Sequence, residues 1–95
     1  MAMDVVGTLR HNRTEIKRRF GVKRLGVFGS YARGEEKETS DVDILVELSK
    51  PTFDGFMGLA DYLEALLGKK VDLVTTGGLS PYIAPIVRRE VVWCE

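Results

Sequence analysis

The chain is nearly devoid of thiol and imidazole chemistry, with one cysteine, Cys94, and one histidine, His11, among 95 residues. A single cysteine excludes an intrachain disulfide, and the two residues together are too few for a zinc cluster or a Ser-His-Asp triad. Cys94 reads as a simple terminal thiol. Only three prolines are present, and with 44% apolar and 29% charged residues the composition excludes a disordered or proline-rich polymer. No apolar run approaches membrane-spanning length, and the N-terminus lacks a long hydrophobic segment of the secretory kind, which predicts a cytoplasmic location. The length leaves room for one domain, residues 1–95, with one modest core and no second substrate-binding domain.

Net charge is also absent, but the balance hides an asymmetry. Residues 1–39 hold nine Lys/Arg against five Asp/Glu, and residues 40–95 reverse those numbers. Arg10, Arg13, Lys17, Arg18, Arg19, Lys23 and Arg24 crowd one stretch with only Glu15 against them. The simplest reading is a solvated helix face. Aromatic residues do not alternate with these cations, which disfavours a single-stranded nucleic acid surface.

Helical spacing of Val5, Leu9, Ile16 and Phe20 predicts one helix over Asp4–Arg19, closed by Gly21. A strand follows from about Lys23 to Phe28, then a short helix from Ser30 to Arg33 with Ser30 as its N-cap, then a polar loop to Ser40. Asp41–Val46 has the β-branched enrichment of a second strand. Phe53, Phe56, Ala60, Leu63 and Leu67 form the core stripe of a longer helix that Gly68 ends. Val71–Val74 is a third strand, Thr75–Gly78 a turn, and Pro81 opens a last short helix, made irregular by Pro85. Val91–Trp93 is placed as an edge strand with Trp93 packed. Alternating elements in so short a chain predict an α+β fold: a small mixed β-sheet of three to four strands with helices packed on one side and an open opposite face.

Chemistry concentrates at three points. Gly29-Ser30 joins a strand to a helix start, a turn in which glycine permits close approach of an anion and the helix N-terminus attracts it. Asp41 and Asp43 alternate along a strand and so share a face, where hard oxygen ligands suit Mg²⁺ or Mn²⁺. Asp72 projects opposite Val71 and Leu73, and joins the pair if the two strands are neighbours. Separately, each has a plain explanation: an ordinary turn, a strand-capping Asp pair, a solvated side chain. Arg33 is equally suited to contact a phosphate or to pair with an acidic neighbour. Three carboxylates beside an anion-binding turn fit two-metal phosphoryl or nucleotidyl transfer.

Gly29-Ser30, ten intervening residues and Asp41-x-Asp43, with Asp72 in Val-Asp-Leu-Val, resemble the signature of the DNA polymerase β-like nucleotidyltransferase superfamily. The likeness is greatest to its minimal nucleotidyltransferase (MNT) branch, through Phe28–Gly34, Ser40–Val46, Gly68–Val74 and Leu79–Tyr82. That resemblance implies the same fold, with Asp41 and Asp43 holding the metal of a bound triphosphate. Asp72 would share a second Mg²⁺ with them and help deprotonate an acceptor hydroxyl, while Gly29, Ser30 and Arg33 would bind phosphate. It implies transfer of AMP from ATP, with a HEPN-domain toxin as partner and a toxin tyrosine as acceptor. Two rival functions stay open on sequence grounds: a non-catalytic antitoxin that acts by occlusion, and transfer to RNA or a small hydroxyl compound.

Overall fold

The structure, a computed structural model, describes residues 4–95. The elements run α1 (Val5–His11), α2 (Arg13–Phe20), β1 (Val22–Phe28), α3 (Ser30–Arg33), β2 (Val42–Leu48), α4 (Phe53–Leu67), β3 (Val71–Thr75), α5 (Ala84–Glu90) and β4 (Val92–Trp93). The strands form one mixed sheet in the order β3-β2-β1-β4. β1 is antiparallel to both β2 and β4, and β2 is parallel to β3 through the α4 crossover.

The expected fold class is present. Val42, Ile44 and Val46 alternate onto one face of β2, where they are completely buried against Leu25 and Val27, with Leu73 at the edge of the same cluster. α1, α2 and α4 close over that face with Val5, Leu9, Ile16, Leu59, Leu63 and Leu67. Of the predicted α4 stripe, Leu63 and Leu67 are core and Phe56 and Ala60 pack at its edge, whereas Phe53 in the first turn is exposed and Leu59 takes the central place. Thr52 caps α4 by accepting a hydrogen bond from the Gly55 N–H at 3.0 Å. Leu45 points to the other face. There it is buried as well, and the run through α5 to Val91 gives that face a partial roof, with the Val91 side chain seated over Gly26.

Several boundaries depart from the sequence reading. The first helix is two helices: Asn12 interrupts it, its amide side chain donating to the Thr8 carbonyl at 2.8 Å in competition with regular helix bonding. α5 starts at Ala84 rather than Pro81. Proline has no N–H to contribute, so Pro85 fits only in the first turn, and Ser80–Ile83 becomes a preceding turn. Cys94 is no terminal thiol on the surface. It is a fully buried member of the core, and burial pushes its pKa up to about 11.

The basic stretch is largely used locally. Arg18 and Arg19 pair with Glu15, Lys17 reaches Glu95, and the Arg19 guanidinium lies over the Phe20 and Tyr62 rings. Arg24 stacks on Trp93 with 3.7 Å to the ring centroid. Among the described residues, no helix is long and apolar enough to cross a membrane.

Candidate active site

Sheet register builds the site. Phe28, the last residue of β1, pairs with Asp43, and Asp43 in turn pairs with Asp72 across the parallel β2–β3 ladder. The chain leaves β1 into Gly29-Ser30 at that same edge, so the turn and the carboxylates meet where three strands share one end. Gly29 has φ of +71°, and a Cβ there would stand 3.0 Å from Asp43 Cγ and nearer still to its Oδ2. Only glycine fits. Asp41, just before β2, and Asp72 are exposed, while Asp43 between them is half-buried.

Electrostatics mark Asp43 as the crowded member. Burial is the main force raising its pKa, and the negative charges of Asp72, Asp41 and Glu90 push the same way, with Arg33 opposing them. An oxygen-ligand cation beside these residues would relieve that repulsion. Among the described residues, no group of three or more His, Cys, Asp or Glu side chains is arranged to hold a metal by itself. Asp41, Asp43 and Asp72 thus share one end of the sheet without forming such a group themselves.

The turn differs in detail from the sequence expectation. Gly29 is the N-cap of α3 and Ser30 its first residue, with no side-chain capping bond. Glu90, which sequence reasoning passed over, enters the site from the end of α5. Its Oε1 accepts the Gly29 N–H at 2.8 Å, and its two oxygens accept from Arg33 Nη1 at 3.3 and 3.0 Å. Arg33 Nε also donates to Glu35 at 3.0 Å. Of the two sequence options for Arg33, pairing with acidic neighbours is what the chain alone displays. Those hydrogen bonds, that to Glu90 first, hold the guanidinium still more firmly protonated. A separate cavity of about 360 Å³ lies further along the carboxylate face, lined by Arg24, Leu45, Glu47, Arg88 and Trp93 among others, and none of the candidate site residues lines it.

The family is decided by residues 9–94, which match the nucleotidyltransferase domain model. The chain belongs to the nucleotidyltransferase domain family. It is 50% identical over 91 residues to the protein adenylyltransferase MntA of Thermococcus cleftensis, covering 95% of this chain and 92% of that protein. A solved minimal nucleotidyltransferase superposes with a TM-score of 0.77 at 41% identity, covering 95% of both chains. A complex of tri-AMPylated Shewanella oneidensis HEPN toxin with its MNT antitoxin shares the fold, with a TM-score of 0.69 at 20% identity over 95% of this chain and 71% of that one.

Proposed function

We propose that this nucleotidyltransferase transfers AMP from ATP to a hydroxyl of a protein acceptor, as the antitoxin partner of a HEPN-domain toxin. The observation that carries the reading is the register that sets Asp43 opposite Asp72, with Asp41 adjacent and the Gly29-Ser30 turn packed against Asp43. The 50% identity to an MntA adenylyltransferase, over nearly the whole of both chains, supports the choice of AMP and of a protein acceptor. The MNT–HEPN complex, alike in fold, supports the choice of partner. Dependence on ATP supports the cytoplasm as the place of action.

Asp41 and Asp43 would hold one Mg²⁺ with the triphosphate, and Asp72 would share a second with them. When bound, such cations neutralise the triphosphate and stabilise the attacking and leaving oxygens of an in-line displacement. Ser30 and Arg33 bind and orient the phosphates beyond the reacting one. Asp72, exposed at the sheet edge, receives the proton of the acceptor hydroxyl. The acceptor oxygen then bonds to the α-phosphorus as the bond to the β-phosphate bridging oxygen breaks, and pyrophosphate leaves.

The test is intact mass spectrometry of a co-encoded HEPN partner incubated with this protein and Mg-ATP. One or more AMP units of added mass are expected, and Asp72→Asn should abolish the addition while the complex still forms. A partner neutralised without added mass would replace this reading with antitoxin action by occlusion.

A further inference from the structure

We infer that Glu90 is a positioning residue for nucleotide phosphate, acting through Arg33 and the Gly29 turn; the inference rests on the nucleotide-binding role proposed above. Glu90 lies 61 residues from Gly29 and 57 from Arg33, on a helix that no candidate site residue occupies. Its side chain is only 20% exposed, and its two oxygens serve three contacts on two site residues. A half-buried carboxylate whose charge disfavours the ionised form of Asp43 has an electrostatic cost in that place. What offsets that cost is the fixing of two groups that a phosphate needs in place.

The donors divide cleanly between structure and ligand. Glu90 engages Arg33 Nη1 and Glu35 engages Nε, which clamps the plane of a long, flexible side chain. Among the described residues, Arg33 Nη2 has no partner, and neither do the Ser30 N–H or Ser30 Oγ. The Gly29 N–H, by contrast, is consumed by Glu90 in a partly buried bond. The phosphate contacts therefore fall to Ser30 and Arg33 Nη2, and Gly29 contributes backbone shape and close packing rather than a donor. Immobilising Arg33 before the nucleotide arrives removes an ordering cost from binding.

The probe is Mg-AMP-PNP, titrated calorimetrically into the purified chain and its variants, each checked by a melting curve. Glu90→Ala should weaken binding roughly tenfold or more, the scale of one lost hydrogen bond to a charged group. Glu90→Gln keeps an acceptor for the Gly29 N–H and for Arg33, so it should recover most of that loss and melt close to the unmodified chain. A residue acting through Arg33 has a further signature: once Arg33→Ala is in place, adding Glu90→Ala should cost little more. Additive losses in the double variant would make Glu90 a general structural brace and overturn the inference. Unchanged or tighter binding by Glu90→Ala would overturn it too, the latter making Glu90 a competitor of phosphate. If the unmodified chain fails to bind the analogue, the nucleotide-binding role itself falls, and the inference with it.

Discussion

Asp43 and Asp72 occupy paired positions on neighbouring parallel strands, so two carboxylates 29 residues apart in sequence project from the same face of the sheet. Parallel pairing of this kind needs a crossover, and α4 provides it. The core helix is thus what brings the third carboxylate to the other two.

That crowding has a measurable consequence for stability. Asp43 has a raised pKa in the folded chain, so its ionised form is better tolerated unfolded than folded. Stability is full below the unfolded aspartate value, 3.8, and falls as pH rises through the higher folded value. Asp43→Asn should therefore raise the melting temperature in metal-free buffer at pH 7, and the gain should vanish as the pH drops below the ordinary aspartate range. The same variant should lose Mg²⁺-dependent affinity for nucleotide. Scanning calorimetry across pH with a parallel titration of Mg-AMP-PNP checks both, and a lower melting temperature at pH 7 would contradict the repulsion.

Ser30 separates a ligand contact from a helix cap. As the first residue of α3 with no side-chain capping bond, it gives the fold little to lose. Ser30→Ala should leave the melting temperature essentially unchanged while costing about 1.5–3 kcal/mol of nucleotide binding, the range for a hydrogen bond to a charged group. A cap would show the reverse, about 1 kcal/mol of stability with affinity intact.

The parts of this site legible in sequence were those with local signals. Gly29 to Asp43 spans fifteen residues, and strand alternation alone assigns Asp41 and Asp43 to one side, while Asp72 joins them only through the β2–β3 pairing on which the sequence reading was conditional. The Gly68 end of α4 and the burial of Leu63 and Leu67 were equally local, but the stripe was extended one turn too far, to the exposed Phe53, and missed Leu59. Glu90 left no such trace, because both of its partners are more than fifty residues upstream and nothing in Arg-Arg-Glu-Val announces a contact with a glycine turn. Cys94 was misjudged for a related reason. Proximity to the terminus says nothing about burial when the last strand inserts beside β1, where the Cys94 N–H donates to the Leu25 carbonyl at 2.8 Å. Asn12 moved a helix boundary through one side-chain hydrogen bond and Pro85 through a missing N–H, neither of which a periodicity of apolar residues registers.

The Cys94 thiol should be inert in the native chain. It has no exposed surface and a pKa near 11, so the thiolate fraction at pH 8 is about one part in a thousand even before access is considered. Thiol titration with an aromatic disulfide reagent should show negligible reaction over minutes at pH 8 and one full equivalent in denaturant. Rapid native labelling would mean that β4 opens readily.

Gly26 links that edge strand to the active site. It sits in the middle of β1, opposite Leu45 on one side and Trp93 on the other. A Cβ there would meet Val91 Cγ2 at 2.6 Å and Trp93 Cε3 at 2.9 Å, so Gly26→Ala must push the Val91–Trp93 segment off the sheet. Overpacking of this size costs about 1–3 kcal/mol. Glu90 immediately precedes that segment, and the displacement should draw its carboxylate away from Gly29 and Arg33. Gly26→Ala is therefore expected to lower both the melting temperature and the affinity for Mg-AMP-PNP. Ile16→Val, in the core under α2, should cost about 0.5–1.5 kcal/mol of stability and leave that affinity unchanged at temperatures where the chain is folded. If the two variants lose affinity alike, the loss reflects general loosening. If only Gly26→Ala loses it, the path from Val91 through Glu90 to the phosphate turn accounts for the difference.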